Sequence, residues 1–202
     1  MIGLIRKDLL NIRGTMAYMM VIGVIFAAAF SGASVMTPTV ITACLIGTTF
    51  TYDRNSGWDS FAVSVGTGRK EIVDSKYILS LMLMMLGLAV GVAVTLVRNA
   101  VLGCDMDPGT LADAVMMSVS ASMIMISVCC TVNYAVNSDR ALAATGLTSS
   151  MCVIVAVIIS MLVSSGDVEL TSSVPTIMMM IGTVVLISGY LVSLSIFGRR
   201  DL

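Results

Sequence analysis

Apolar residues run along this chain in long uninterrupted stretches, and charged residues gather in the gaps between them. Between Arg13 and Asp53 no charged side chain occurs. A helix needs about 20 apolar residues to cross a 30 Å hydrocarbon layer, so this interval holds two crossings. Thr37-Pro38 supplies the break, because proline fits the first turn of a helix, where its missing N–H costs nothing. The pattern predicts spans over residues 15–34, 38–52, 77–97, 111–137, 141–163 and 174–197. The second is the shortest, with Thr42, Thr48, Thr49 and Thr51. All six must be helical, since an open sheet edge in lipid would leave backbone groups unpaired. The expected fold is therefore an all-α membrane protein, a single domain over residues 1–202 with six transmembrane helices.

Basic residues orient these spans. Arg6, Lys7, Arg13, Arg54, Arg69, Lys70, Lys76, Arg140, Arg199 and Arg200 fall on one side, and Arg98 alone falls opposite. The positive-inside rule then places both termini in the cytoplasm, with the loops after spans two and four. The opposite loops carry Asp105, Asp107, Asp167 and Glu169. The opening residues lack the short apolar core and cleavage site of a signal peptide, so the N-terminus is expected to be retained.

Composition agrees with a lipid environment. The chain is 57% hydrophobic and 11% charged, with mean hydropathy +1.01; a soluble domain carries about 25% charged residues. Histidine is absent, which removes the commonest general base and metal ligand. Cys44, Cys129, Cys130 and Cys152 lie in apolar runs, and no CxxC pair occurs. Neither a metal site nor an intramembrane catalytic pair is expected. Nothing in the composition points to nucleic acid. No ionisable residue sits mid-span, where an ion-coupled carrier would keep one, so the energy for any transport must come from another protein.

The one long hydrophilic stretch, residues 53–76, contains Trp58, Phe61, Ala62 and Val65 at helical spacing, one apolar stripe on a short helix. Gly66-Thr67-Gly68 ends that helix, and Thr67 is placed to cap a second one running through Ile72 and Tyr77 into the third span. Two readings are open for the stripe: an interfacial helix with tryptophan at headgroup depth, or a docking helix for a soluble partner. Gly66, Gly68, Arg69 and Lys70 do not meet the GxxxxGK[ST] spacing of a phosphate loop.

Asp53-Arg54-Asn55, Gly57-Trp58-Asp59, Ser64, Gly66, Arg69-Lys70-Glu71-Ile72-Val73 and Ser75-Lys76-Tyr77 together resemble the loop between the second and third spans of type 2 ABC exporter permeases. Leu4-Ile5-Arg6-Lys7-Asp8-Leu9 is similar to the entry helix of that family, and Ser193 to Phe197 followed by Arg199-Arg200-Asp201 to its tail. The resemblance implies a coupling helix between spans two and three, seated in a cleft of a separate ATPase, with Asp53, Arg54, Trp58, Asp59, Phe61, Arg69, Lys70 and Glu71 as docking residues. It implies two such ATPases, which bind ATP and Mg, and a second permease chain, identical or not, with the export path between the permeases. The chain itself would bind no cofactor and would reside in the cell membrane, the bacterial plasma membrane. Its small outer loops suit a minimal exporter.

Residues 1–13 place Ile2, Ile5, Leu9 and Ile12 on one face, with Arg6, Lys7 and Arg13 off it. This describes a basic amphipathic helix on the inner surface, with or without contact to the ATPase. Gly87 and Gly91 form a GxxxG pair suited to close helix packing, within the chain or across a dimer. Ser127, Thr131 and Asn133 give span four a polar inner half. The 18 methionines, among them Met82, Met85 and Met178 to Met180, fill gaps, meet lipid or line an adaptable surface. Two functions remain: an ATP-driven exporter of hydrophobic or amphipathic substrates such as peptides, toxins or drugs, and a membrane scaffold or sensor whose loop binds another soluble protein.

Overall fold

The computed structural model describes residues 2–29, 35–102, 108–136 and 173–199. Among them there are seven helices and no strand: α1 (Ile2–Ala29), α2 (Met36–Cys44), α3 (Ile46–Asn55), α4 (Trp58–Ser64), α5 (Arg69–Leu102), α6 (Pro108–Ala135) and α7 (Ser173–Arg199). Four of these, α1, α5, α6 and α7, are long and apolar enough to cross a membrane. The expected fifth span, 141–163, lies outside the described residues.

Helix α1 is continuous through residue 13, where an entry helix and a first span were expected to be separate. No proline interrupts it, and Gly14 alone costs a helix only about 1 kcal/mol. At 1.5 Å per residue the rod is about 42 Å long, enough to cross the hydrocarbon and project beyond it.

The second expected span is built as two short helices, α2 and α3, joined at Leu45. The Leu45 N–H bonds the Thr42 carbonyl at 3.2 Å, and the Thr48 N–H bonds the Leu45 carbonyl at 3.1 Å. These i to i−3 bonds tighten the chain into a 3₁₀ turn. The threonines explain both the bend and the tolerance of an apolar interior. Thr39, Thr42, Thr48, Thr49 and Thr51 each donate to a carbonyl three or four residues back, at 2.7–3.2 Å. Such bonds satisfy the hydroxyls without a partner helix and tend to bend the helix that hosts them.

Far from peripheral, α2 contacts α1, α5 and α6. Its seating on α5 depends on the absence of side chains at two glycines. A Cβ on Gly87 would overlap the Thr42 hydroxyl and stand 2.7 Å from the Pro38 carbonyl oxygen; one on Gly91 would stand 2.8 Å from the Val35 carbonyl oxygen. As α5 advances from 87 to 91 its neighbour recedes from 42 to 35, so the two helices are antiparallel. The GxxxG pair is thus occupied by a helix of the same chain.

The most extensive packing joins α6 to α7. Gly182 faces Ser120, Gly189 faces Ser127, and Thr131 meets Ser193 at 3.4 Å. The numbers rise together on both helices, so α6 and α7 run parallel. Ser127 donates to the Val185 carbonyl at 2.8 Å, while Asn133 turns back to the Cys129 carbonyl at 2.8 Å. The polar inner half of the fourth span is therefore a packing face. Outward-facing positions are apolar, including Val21 and Ile25 on α1, Met82 and Met85 on α5, and Met178, Met179 and Met180 on α7.

Candidate docking loop and its anchorage

Helix α4 owes both its ends to left-handed glycines. Gly57, at φ 62°, turns the chain out of α3, and its carbonyl accepts the first bond of α4 from the Phe61 N–H at 3.3 Å. At the other end Gly66, at φ 90°, donates to the Val63 carbonyl at 3.0 Å, and the Thr67 N–H donates to the Ala62 carbonyl at 3.0 Å. That pair of bonds is the Schellman closure, which needs a left-handed residue at the position Gly66 occupies. Gly68, one residue later than the expected Thr67, then caps α5, its carbonyl accepting from the Ile72 N–H at 3.2 Å.

The apolar stripe on α4 divides between inside and outside. Ala62 is buried and Trp58 is half-buried against the core. Phe61 is 56% exposed and Val65 68% exposed. The rings of Trp58 and Phe61 lie 5.5 Å apart, and the Lys7 ammonium sits 4.3 Å above Trp58, a favourable placement for a cation on an indole face. Lys70 and Glu71 are exposed, and Asp59 is half-buried.

Other residues of the loop turn inward. Asp53 is buried between two ammonium groups, Lys7 from α1 and Lys76 from α5. Asp8 closes the arrangement, 2.8 Å from Lys76 and 3.0 Å from Lys7. Two lysines and two aspartates thus alternate in a neutral ring drawn from α1, α3 and α5. Three of its side chains are no more than 3% exposed, and Lys7, at 23%, is the member nearest solvent. Burial of ions is tolerable only with such compensation. Phe50 flanks the ring, its centroid 5.4 Å from the Lys76 ammonium.

The two arginines of the loop close helix ends. Arg54 donates to the Asn133 carbonyl in the last turn of α6, and Arg69 donates to the Gly198 carbonyl in the last turn of α7 at 2.6 Å. The last carbonyls of a helix lack internal partners, and the dipole favours a cation there. Tyr190 of α7 adds a 2.7 Å bond to Asp74 of α5. Every long helix therefore has its loop-side end tied to residues 53–76.

Of the eight residues expected to dock a partner, Phe61, Lys70 and Glu71 face outward, and Trp58 and Asp59 are half-buried. Asp53 is committed to the ring, while Arg54 and Arg69 reach helix carbonyls. Lys7, Asp8 and Lys76 belong to the site although the sequence reading, which met them within the resembling segments, did not place them among the site residues. Their signal was a carboxylate or lysine within a turn or two of three successive span ends.

These features define a multi-pass α-helical protein of the cell membrane, with a short helix held outside the bundle by charged and capped anchors. Residues 3–197 match the ABC-2 family transporter protein, and the chain belongs to that family as a type 2 ABC transporter permease. It is the membrane subunit of an ABC system and not its ATPase. Searches of curated proteins and of solved structures find no significant match.

Proposed function

We propose that this permease exports hydrophobic or amphipathic substrates, driven by two copies of a separate ATPase that dock on α4. The observation that carries the reading is the exposed Phe61 of α4, with Val65 just beyond its end, on a helix that Trp58, Ala62 and Val63 pack against the bundle. Family membership favours this transport role over a scaffold role, because ABC-2 permeases associate with ABC ATPases. Charges on the described helices concentrate toward their ends, which suits apolar cargo better than a polar solute. ATP and Mg belong to the partner.

The full topology we infer has six spans, α2 and α3 together forming the second. The parallel run of α6 and α7 agrees with a fifth span between them. Lys7, Arg54, Arg69, Lys70 and Lys76 share one end of the bundle, and Arg98 stands near the far end of α5. The positive-inside rule makes the shared end cytoplasmic. A reporter active only outside the cytoplasm, fused after residue 202, should be silent; a strong signal would reverse the orientation.

Docking is tested by Trp58→Ala/Phe61→Ala. Truncating buried aromatic anchors costs on the order of 2 kcal/mol or more in a protein contact, roughly thirtyfold in affinity. The ATPase should be lost from the purified permease. Full retention would place the contact elsewhere. Native mass spectrometry of the active complex should show two permeases with two ATPases, the pairing that encloses a path between small bundles.

A further inference from the structure

We propose that the ring of Lys7, Asp8, Asp53 and Lys76 is the joint that carries movement of the docked α4 into α1 and α5, with Lys7 as its exchangeable link. The inference rests on the docking role proposed for α4. Three observations lead to it.

First, the ring is the one place where charged side chains of α1, α3 and α5 meet among the described residues, and its members come from the starts of α1 and α5 and the end of α3. Second, Lys7 belongs to two contacts at once. Its ammonium pairs with Asp8 and Asp53 and also lies over Trp58. A displacement of α4 therefore acts directly on a residue of α1. Third, α1 is unbroken from Ile2 to Ala29, so a shift at Lys7 moves the whole rod. The ring can yield without exposing a bare charge, because each aspartate has two lysine partners. If Lys7 slides from Asp53 toward Asp8, Asp53 keeps Lys76. A redundant neutral ring is suited to exchange between arrangements in a way that an isolated buried pair is not.

The experiment uses the permease purified with its ATPase and follows backbone hydrogen exchange with and without trapping by ATP and vanadate. In the wild type, trapping should change exchange in residues 58–64, 2–13 and 69–79. The charge-balanced variant Lys7→Met/Asp53→Leu removes the link and leaves Lys76 paired with Asp8. It should retain the ATPase and the response of residues 58–64, and lose the response of residues 2–13. Lys7→Arg with Asp53 intact, which keeps both the cation and its partner, should retain it.

An unchanged response of residues 2–13 in Lys7→Met/Asp53→Leu would overturn the proposal. So would loss of the ATPase from that variant, which would make the ring a buttress of docking only. A wild-type permease that holds no ATPase at all would instead remove the docking reading on which the proposal stands.

Discussion

Lys76→Met should destabilise the permease by about 3–5 kcal/mol, the usual consequence of removing one partner from a buried ionic arrangement. Asp8 and Asp53 are both buried, and Lys76 contacts both. Its loss leaves two carboxylates to share Lys7. The large term is the stranded charge, so deleting one charge of each sign should be far milder. Asp53→Leu/Lys76→Met keeps the 3.0 Å pair of Lys7 with Asp8, and it should recover most of the loss. Thermal unfolding in detergent of the wild type, both single variants and the double completes a cycle that isolates the coupling. Equal destabilisation by Lys76→Met and by the double variant would show that the ring does not act as a unit.

The second large effect is expected at the seat of α2. Gly87→Ala should cost about 1–3 kcal/mol, as overpacking does in a close-fitting interior, and Gly87→Ala/Gly91→Ala more. The obstructions at Gly87 resist relaxation for a specific reason. The Thr42 hydroxyl is held by the Pro38 and Thr39 carbonyls at 2.8 and 3.0 Å, and the other close atoms are backbone. The α2 backbone has to move away from α5, and with it the contacts of α2 to α1 and α6. Gly14→Ala is the control, since an added Cβ there meets nothing within 4 Å. Unfolding temperatures of the three variants in one detergent decide the matter. A Gly87→Ala protein as stable as wild type would mean that α2 and α5 lie farther apart than described.

How much of this was legible in the sequence depends on how local the cause was. The end of α4 was, because Gly66 ends a helix by its own backbone preference. So were α6 and α7, whose observed bounds lie within a few residues of those expected from apolar length. The continuity of α1 was not. The change from an amphipathic to an apolar pattern near Arg13 suggested two elements, yet a change of environment need not break a helix. The roles of Arg54 and Arg69 were hidden for a different reason. Their acceptors are main-chain carbonyls 79 and 129 residues away, and any residue type presents a carbonyl. Asp53 was assigned to docking because it belongs to the loop that carries the family resemblance; its burial follows from Lys7 and Lys76, contributed by two other helices. Gly182 and Gly189 went unnoticed as a seat for α6 because seven residues separate them, outside the GxxxG spacing.

The ring also sets an order of events during synthesis. Lys76 follows Asp53 by 23 residues and Asp8 by 68. At about 5–20 residues per second, the ribosome delivers it one to several seconds after Asp53. Until then two aspartates have only Lys7, and Gly87 and Gly91, which seat α2, have not been made. The first helices therefore wait at the membrane incompletely assembled, and α5 is the segment whose arrival both neutralises the ring and locks α2 in place. Closure of the ring and the seat of α2 on α5 thus draw only on segments made before α6 and α7.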